Sequence, residues 1–193
     1  MTRAPRLAPE LRRQALIDAT LPLLREHGRG VTTRQIAEAA GVAEGTIFGV
    51  FEGKEELIES ALDAAFDLGP FEAALTALPT DLDLRGRLVA YVELLQERLI
   101  SIFGLMRSVG MVAPREAGRH LSPARRRIDE LAVAYTAPGD QVTVTPEHLL
   151  HLIRLLTFSG SHYEIAHGKL LSPEEIVALV LDGVSTPAES DAN

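Results

Sequence analysis

Apolar residues recur along this chain at intervals of three and four, with polar residues between them, which is the period of an α-helix. The first predicted helix opens at Pro9, where a missing N–H costs nothing. It carries Leu11, Ala15, Ala19 and Leu23 at helical spacing, contains Pro22, and ends at Gly28 and Gly30. Two short helices follow. Thr32 and Gln35 have the spacing of a capping box, and Ile36, Ala37 and Ala40 give a small apolar face. Gly41 supplies a sharp turn, with apolar Val42 inside its angle. In the second short helix, 43–50, Ile47, Val50 and Phe51 face inward, which leaves Glu44, Gly45, Thr46 and Phe48 nearer the surface. Two helices crossing around a short glycine turn make a helix-turn-helix, whose second helix fits the DNA major groove.

The rest continues in the same period. A helix over 54–68 carries Leu57, Ile58, Ala61, Leu62, Ala65 and Phe66, and Gly69-Pro70 stops it. A short helix over 71–78 precedes Pro79, and 82–109 predicts one long helix or two broken at Gly104. Ser122-Pro123 starts a helix reaching Tyr135. Thr145-Pro146 starts another reaching His167, closed by Gly168. Ser172 to Glu175 is a second capping box before a last helix over 176–184. The run QVTVT at 141–145 has strand propensity but is short and alone, so the chain reads as all-α without an internal repeat.

Composition narrows the function. With 193 residues, 46% hydrophobic and 24% charged, the sequence describes a globular protein with a sizeable core. There is no cysteine, which excludes disulfides, zinc–thiolate sites and cysteine nucleophiles. No apolar run approaches the ~18 residues that a membrane span needs. The arginine-bearing start lacks the apolar stretch of a secretory signal, so a cytoplasmic location is expected, without a membrane partner. The net charge of −8 argues at first against nucleic acid, but the charge is unevenly placed. Residues 1–53 hold seven Arg against six acids, and residues 1–34 hold all seven against three. The arm with Arg3 and Arg6 can reach phosphates or a minor groove, while the acidic remainder suppresses non-specific sticking.

The segment around the turn resembles the DNA-binding domain of the TetR family of bacterial transcriptional regulators. The resemblance rests on Gly28, Val31-Thr32-Thr33, Ile36-Ala37, Ala40-Gly41-Val42, Gly45-Thr46-Ile47-Phe48, Phe51, Lys54-Glu55 and Leu57, and covers about the first quarter of the chain. It implies a three-helix DNA-binding domain over 1–53 and a helical ligand-binding and dimerisation domain over 54–193. It also implies a DNA face of Thr32, Thr33, Arg34, Glu44, Gly45, Thr46, Phe48 and Lys54, with Thr33 on a phosphate and Arg34 on a base edge or phosphate. Phe48 stands where the family usually has tyrosine, which removes a phosphate-bonding hydroxyl. Ala43 replaces the usual Ser/Thr cap, a loss of roughly 1 kcal/mol of helix stability.

Helix 146–167 is apolar almost all round, as a helix is when buried in a core or between a core and a partner. By resemblance it pairs with the last helix and their copies as a homodimer interface, through Leu152, Leu155, Leu156, Ser159, Val177, Val180 and Leu181. Phe103, Met106, Met111, Tyr135, Phe158 and His162 suit an apolar effector pocket. His148, His151, His162 and His167 share one predicted helix, but Glu164-x-x-His167 is half of a helical-bundle metal site and its second copy is missing. Neither a metal nor a cofactor is therefore expected, and no acid–base pair marks an enzyme. The expectation is a dimeric regulator, a repressor released from a near-palindromic double-stranded operator by a small apolar effector. The alternative is a small-molecule-binding helical protein with weak or lost DNA binding.

Overall fold

The computed structural model describes residues 8–111, 122–137 and 142–184. The arm with Arg3 and Arg6, most of the expected loop over 110–121 and the tail from Thr186 lie outside them. The fold is all-α: eight α-helices and two 3-10 segments, with no strand among the described residues. They form two compact units.

The first unit holds residues 8–67 and 102–111. Its elements are α1 (Pro9–His27), a 3-10 turn at Gly28–Gly30, α2 (Thr33–Ala39), a 3-10 segment at Glu44–Gly49, α3 (Lys54–Phe66) and the last turns of α5 (Leu84–Ser108). Leu16, Ile17 and Leu24 of α1 pack with Val31, Ile36, Ile47, Phe51, Leu57, Ile58, Leu62, Leu105 and Val109. The buried stripe of α1 differs from the expected one. Leu11 is 60% exposed, and the inward face is Leu16, Ile17, Thr20 and Leu24. Both stripes keep a four-residue spacing, so periodicity alone does not choose between them. Burying Thr20 is tolerated because its hydroxyl donates to the Leu16 carbonyl at 2.7 Å.

α3 sends Leu57, Ile58, Ala61 and Leu62 into this same core. Each large apolar side chain contributes about 1.5–3 kcal/mol on burial. A boundary after Gly53, as expected from sequence, therefore cuts through one core, and the compact unit runs on to Asp67.

The second unit holds residues 68–101, 122–137 and 142–184. It comprises α4 (Gly69–Thr76), the first part of α5, α6 (Pro123–Tyr135), α7 (Pro146–Ser161) and α8 (Pro173–Val184). Gly69-Pro70, expected to stop the preceding helix, also opens α4, with the proline in its first turn. α5 is one continuous helix of 25 residues, and a Cβ at Gly104 would meet open space. Ser122 caps α6 and Thr145 caps α7. The Ser172–Glu175 box forms as read, with both bonds present at 2.8 and 3.2 Å.

Leu84, Leu88, Tyr91, Val92, Ile128, Leu149, Ile153 and Ile176 lead the second core. Tyr91 is fully buried and its phenol oxygen accepts from Arg154 Nε at 3.0 Å. Arg154 in turn lies 2.7 Å from an Asp129 oxygen. Burial pushes the Tyr91 phenol up against the opposing pull of Arg154, so it stays neutral and anchors α7 to α5.

α7 ends at Ser161, short of the expected His167. Ser159-Gly160-Ser161 has low helix propensity, and His162 turns to an extended backbone. The Gly160 carbonyl then accepts from the Leu171 N–H at 3.1 Å, and Gln96 Nε2 donates to the Leu171 carbonyl at 2.8 Å. These bonds hold the connection to α8 by its backbone.

Candidate nucleic-acid interface

α2 is fixed at both ends by its own sequence. At its start the Thr32 hydroxyl accepts from the Gln35 N–H at 3.2 Å and donates to Gln35 Oε1 at 2.8 Å. The Thr32 N–H reaches the same oxygen at 2.8 Å, which completes the capping box. Thr32 thus has no donor left for a phosphate while this box stands. At the other end Gly41 takes φ +66°, its N–H donates to Glu38, and the Val42 N–H donates to Ala37. That pair of bonds is a Schellman turn, and Val42 is half-buried against the core.

The expected α-helix over 43–50 is a 3-10 segment, Glu44–Gly49. Thr46 N–H bonds the Ala43 carbonyl at 2.8 Å, and Val50 N–H bonds Ile47 at 3.0 Å. Three features disfavour the wider helix. Ala43 offers no side-chain cap, and Gly45 and Gly49 each cost about 1 kcal/mol relative to alanine inside an α-helix. With six residues, the segment is also too short for cooperative α-helix formation. A 3-10 segment rises about 2.0 Å per residue against 1.5 Å, so this recognition element is narrower and more extended than expected. Ile47 anchors it, fully buried. Phe51 follows, its ring under the Arg13 guanidinium at 4.9 Å, and Arg13 also donates to Ser60 at 2.9 Å.

Glu44, Gly45 and Phe48 are exposed as expected, Phe48 by 57%, and Thr46 is half-buried. Arg34 is exposed on the first turn of α2. Two contacts were not anticipated. The Thr33 hydroxyl donates to Glu44 Oε1 at 2.5 Å and joins the two elements of the motif. Lys54 Nζ donates to the Arg29 carbonyl at 3.2 Å and lies 3.9 Å from a Glu55 oxygen. One of its three donors therefore holds the end of the turn after α1. Arg29 faces Glu59 at 2.9 Å and Glu55 at 3.5 Å. Across residues 31–53 the exposed charges are Arg34 against Glu38, Glu44 and Glu52. The Thr33–Glu44 bond was legible in principle: the first residue of each element carries a polar group, and a tight turn brings them side by side.

The pocket residues divide between the two units. Phe103, Met106 and Met111 belong to the first, where Met111 packs on the core. Tyr135, Phe158 and His162 belong to the second. There the Tyr135 hydroxyl donates to the Pro79 carbonyl at 2.9 Å, while the Phe158 ring stacks on His162 with centroids 6.4 Å apart.

The dimer residues divide by burial. Val177, Val180 and Leu181 lie in the second core. Leu155 is 54% exposed, and Leu152, Leu156 and Ser159 are half-buried. Together with Leu179 and Val180 these last four line an open apolar groove of about 430 Å³ between α7 and α8. No cluster of three or more metal-ligating side chains occurs among the described residues, and none of their helices is long and apolar enough to cross a membrane.

The sequence model of bacterial regulatory proteins of the tetR family matches residues 16–61. Similar solved structures include a TetR-family transcriptional regulator from Streptomyces coelicolor, with TM-score 0.61 and 21% identity over 92% of this chain and 80% of that one. A putative TetR-family regulator from Mesorhizobium loti aligns with TM-score 0.59 and 17% identity over 94% and 100%. A TetR regulator from Agrobacterium tumefaciens aligns with TM-score 0.58 and 19% identity over 92% and 96%. At these identities the likeness establishes the fold. No curated protein matches the sequence.

Proposed function

We propose, from the match of residues 16–61 to the model of bacterial regulatory proteins of the tetR family, that this chain represses transcription as a homodimer on a near-palindromic operator. A small apolar effector bound by the helical second unit releases it. The observation that carries the reading is the motif's geometry. α2 is capped at both ends, a Schellman turn follows, and the recognition segment hangs on one buried residue, Ile47, with Glu44, Gly45 and Phe48 exposed. Such a segment has the dimensions to enter a major groove. An effector acts only if it binds two spacings of the DNA-binding units with different affinity.

A salt titration on random and selected duplexes tests this. Arg34→Ala removes one cation from each half-site, so the slope of log affinity against log salt should fall by about 0.9 per half-site. Phe48→Tyr adds a hydroxyl but no charge. It should strengthen binding to both duplexes by about 1 kcal/mol per half-site, below the usual range for a bond to a charged group because the phosphate is solvated. The slope should stay put. An Arg34→Ala variant that binds as wild type does would place the recognition surface elsewhere.

A second reading has its own observations: Phe48 offers no hydroxyl, and across residues 31–53 the exposed charges are one cation, Arg34, and three acids, Glu38, Glu44 and Glu52. It makes the chain a small-molecule-binding protein with lost DNA affinity. It is favoured if no duplex binds at low salt while apolar ligands raise the melting temperature.

A further inference from the structure

The Thr33–Glu44 bond spans the turn of the motif, from the first residue of α2 to the first residue of the recognition segment. A threonine hydroxyl has one proton to donate. Here it goes to Glu44 Oε1 at 2.5 Å, a short bond of the charge-assisted kind. The same proton cannot also serve a phosphate. Glu44 is exposed, so this bond restrains a side chain that would otherwise sample several rotamers. Its second oxygen keeps its lone pairs.

We infer that Thr33 is a positioning residue rather than a phosphate anchor, and that it aims the Glu44 carboxylate at a base edge, where it selects cytosine. The inference rests on the DNA-binding reading above. The chemistry of the groove makes the choice. A carboxylate only accepts, and of the four bases only cytosine and adenine offer a donor in the major groove. Adenine's amino group sits beside the N7 acceptor, which repels a carboxylate. Within its own edge cytosine's N4 amino group has a C5–H beside it instead of an acceptor, and guanine and thymine present acceptors to the carboxylate. Residues at the start of a recognition element are those that reach base edges. Near phosphates the carboxylate is repelled, so Glu44 contributes discrimination and no general affinity.

The test is selection of binding sites from a randomised duplex library by the full chain, followed by titrations on selected and scrambled duplexes. Wild type should enrich C at one position in each half-site, with about tenfold preference over other bases, within the usual range for a single mismatch. Glu44→Gln should move the preference at that position to A, which an amide bonds through N6 and N7. Thr33→Val should keep C but cut the preference to about threefold, leave the scrambled duplex unaffected and leave other positions unchanged. Thr33→Ser should restore the preference.

If Thr33→Val instead weakens every duplex equally, Thr33 is a phosphate contact and the inference is overturned. If Glu44→Gln leaves the base preferences of wild type intact, Glu44 reads no base and the inference is likewise overturned. A wild type that enriches nothing removes the DNA-binding reading itself, a result distinct from both. Circular dichroism of the valine variant shows whether α2 has kept its start, and the serine variant decides the matter if it has not.

Discussion

Replacing Leu155 with glutamate is expected to turn a dimer into folded monomers. Leu155 is 54% exposed on α7, so in a single chain the new carboxylate meets water and the core is untouched. A surface change of this kind alters folding stability within about 0.5 kcal/mol. In a two-fold dimer the same position occurs twice, on an apolar groove also lined by Leu152, Leu156 and Leu179. Burying two unpaired carboxylates there costs several kcal/mol by conservative values for unpaired buried charge. Dimerisation should therefore weaken by at least about a thousandfold, or about 4 kcal/mol. Val180→Glu, aimed at the same groove, gives no such separation. Val180 is 7% exposed and belongs to the core, so that variant should misfold. Sedimentation at micromolar concentration measures the outcome. A wild type that sediments as a monomer at these concentrations defeats the dimer, and a Leu155→Glu protein that stays dimeric moves the interface to another face.

How far the chain could be read from its sequence depended on whether one residue or a neighbourhood decides the structure. The caps at Thr32, Ser122, Thr145 and Ser172 formed as read, because a side chain three residues from its partner settles them locally. The inward face of α1 differs from the expected one because Leu11-Ala15-Ala19-Leu23 and Leu16-Thr20-Leu24 carry the same spacing. Only packing against α3 and the end of α5 chooses the second. α7 ends six residues before the His167 that periodicity predicts. Gly160 is buried, a Cβ there would meet the Leu171 side chain at 3.1 Å, and its carbonyl bonds Leu171, a partner eleven residues on that periodicity does not show.

At the candidate site the exposed set around Glu44 and Phe48 was legible from the apolar positions Ile47 and Phe51. Ala43 leaves the segment uncapped, but the consequence, a 3-10 winding, follows only from Ala43 together with Gly45 and Gly49. The resemblance puts Lys54 on the DNA face, and its ammonium also closes on the Arg29 carbonyl, a backbone atom that sequence patterns do not reveal.

The largest stability effect of a single small substitution is expected at Gly28. Its backbone sits at φ +57° and ψ −147°, a region open almost only to glycine. Holding any other residue there costs about 1–3 kcal/mol. Space adds a second penalty. A Cβ at Gly28 would lie 2.2 Å from the Ser108 carbonyl oxygen, a backbone atom at the end of α5 that cannot swing away as a side chain can. Forcing extra volume into a packed site adds about 1–3 kcal/mol. Gly28→Ala should therefore lose about 3 kcal/mol or more of a total stability of about 5–15 kcal/mol, and the melting temperature should fall by about 10 °C. Two other glycines calibrate the result. Gly41 has φ +66° but open space around its Cβ position, so Gly41→Ala should show the backbone penalty alone, about 1–2 kcal/mol. Gly30 has neither a positive φ nor a neighbour within 4 Å, so Gly30→Ala should be close to neutral or slightly stabilising through the unfolded chain. Urea titration of the three variants reads the order directly. If Gly28→Ala proves no worse than Gly41→Ala, the close approach of Ser108 to the turn after α1 is wrong, and the last turn of α5 does not pack there.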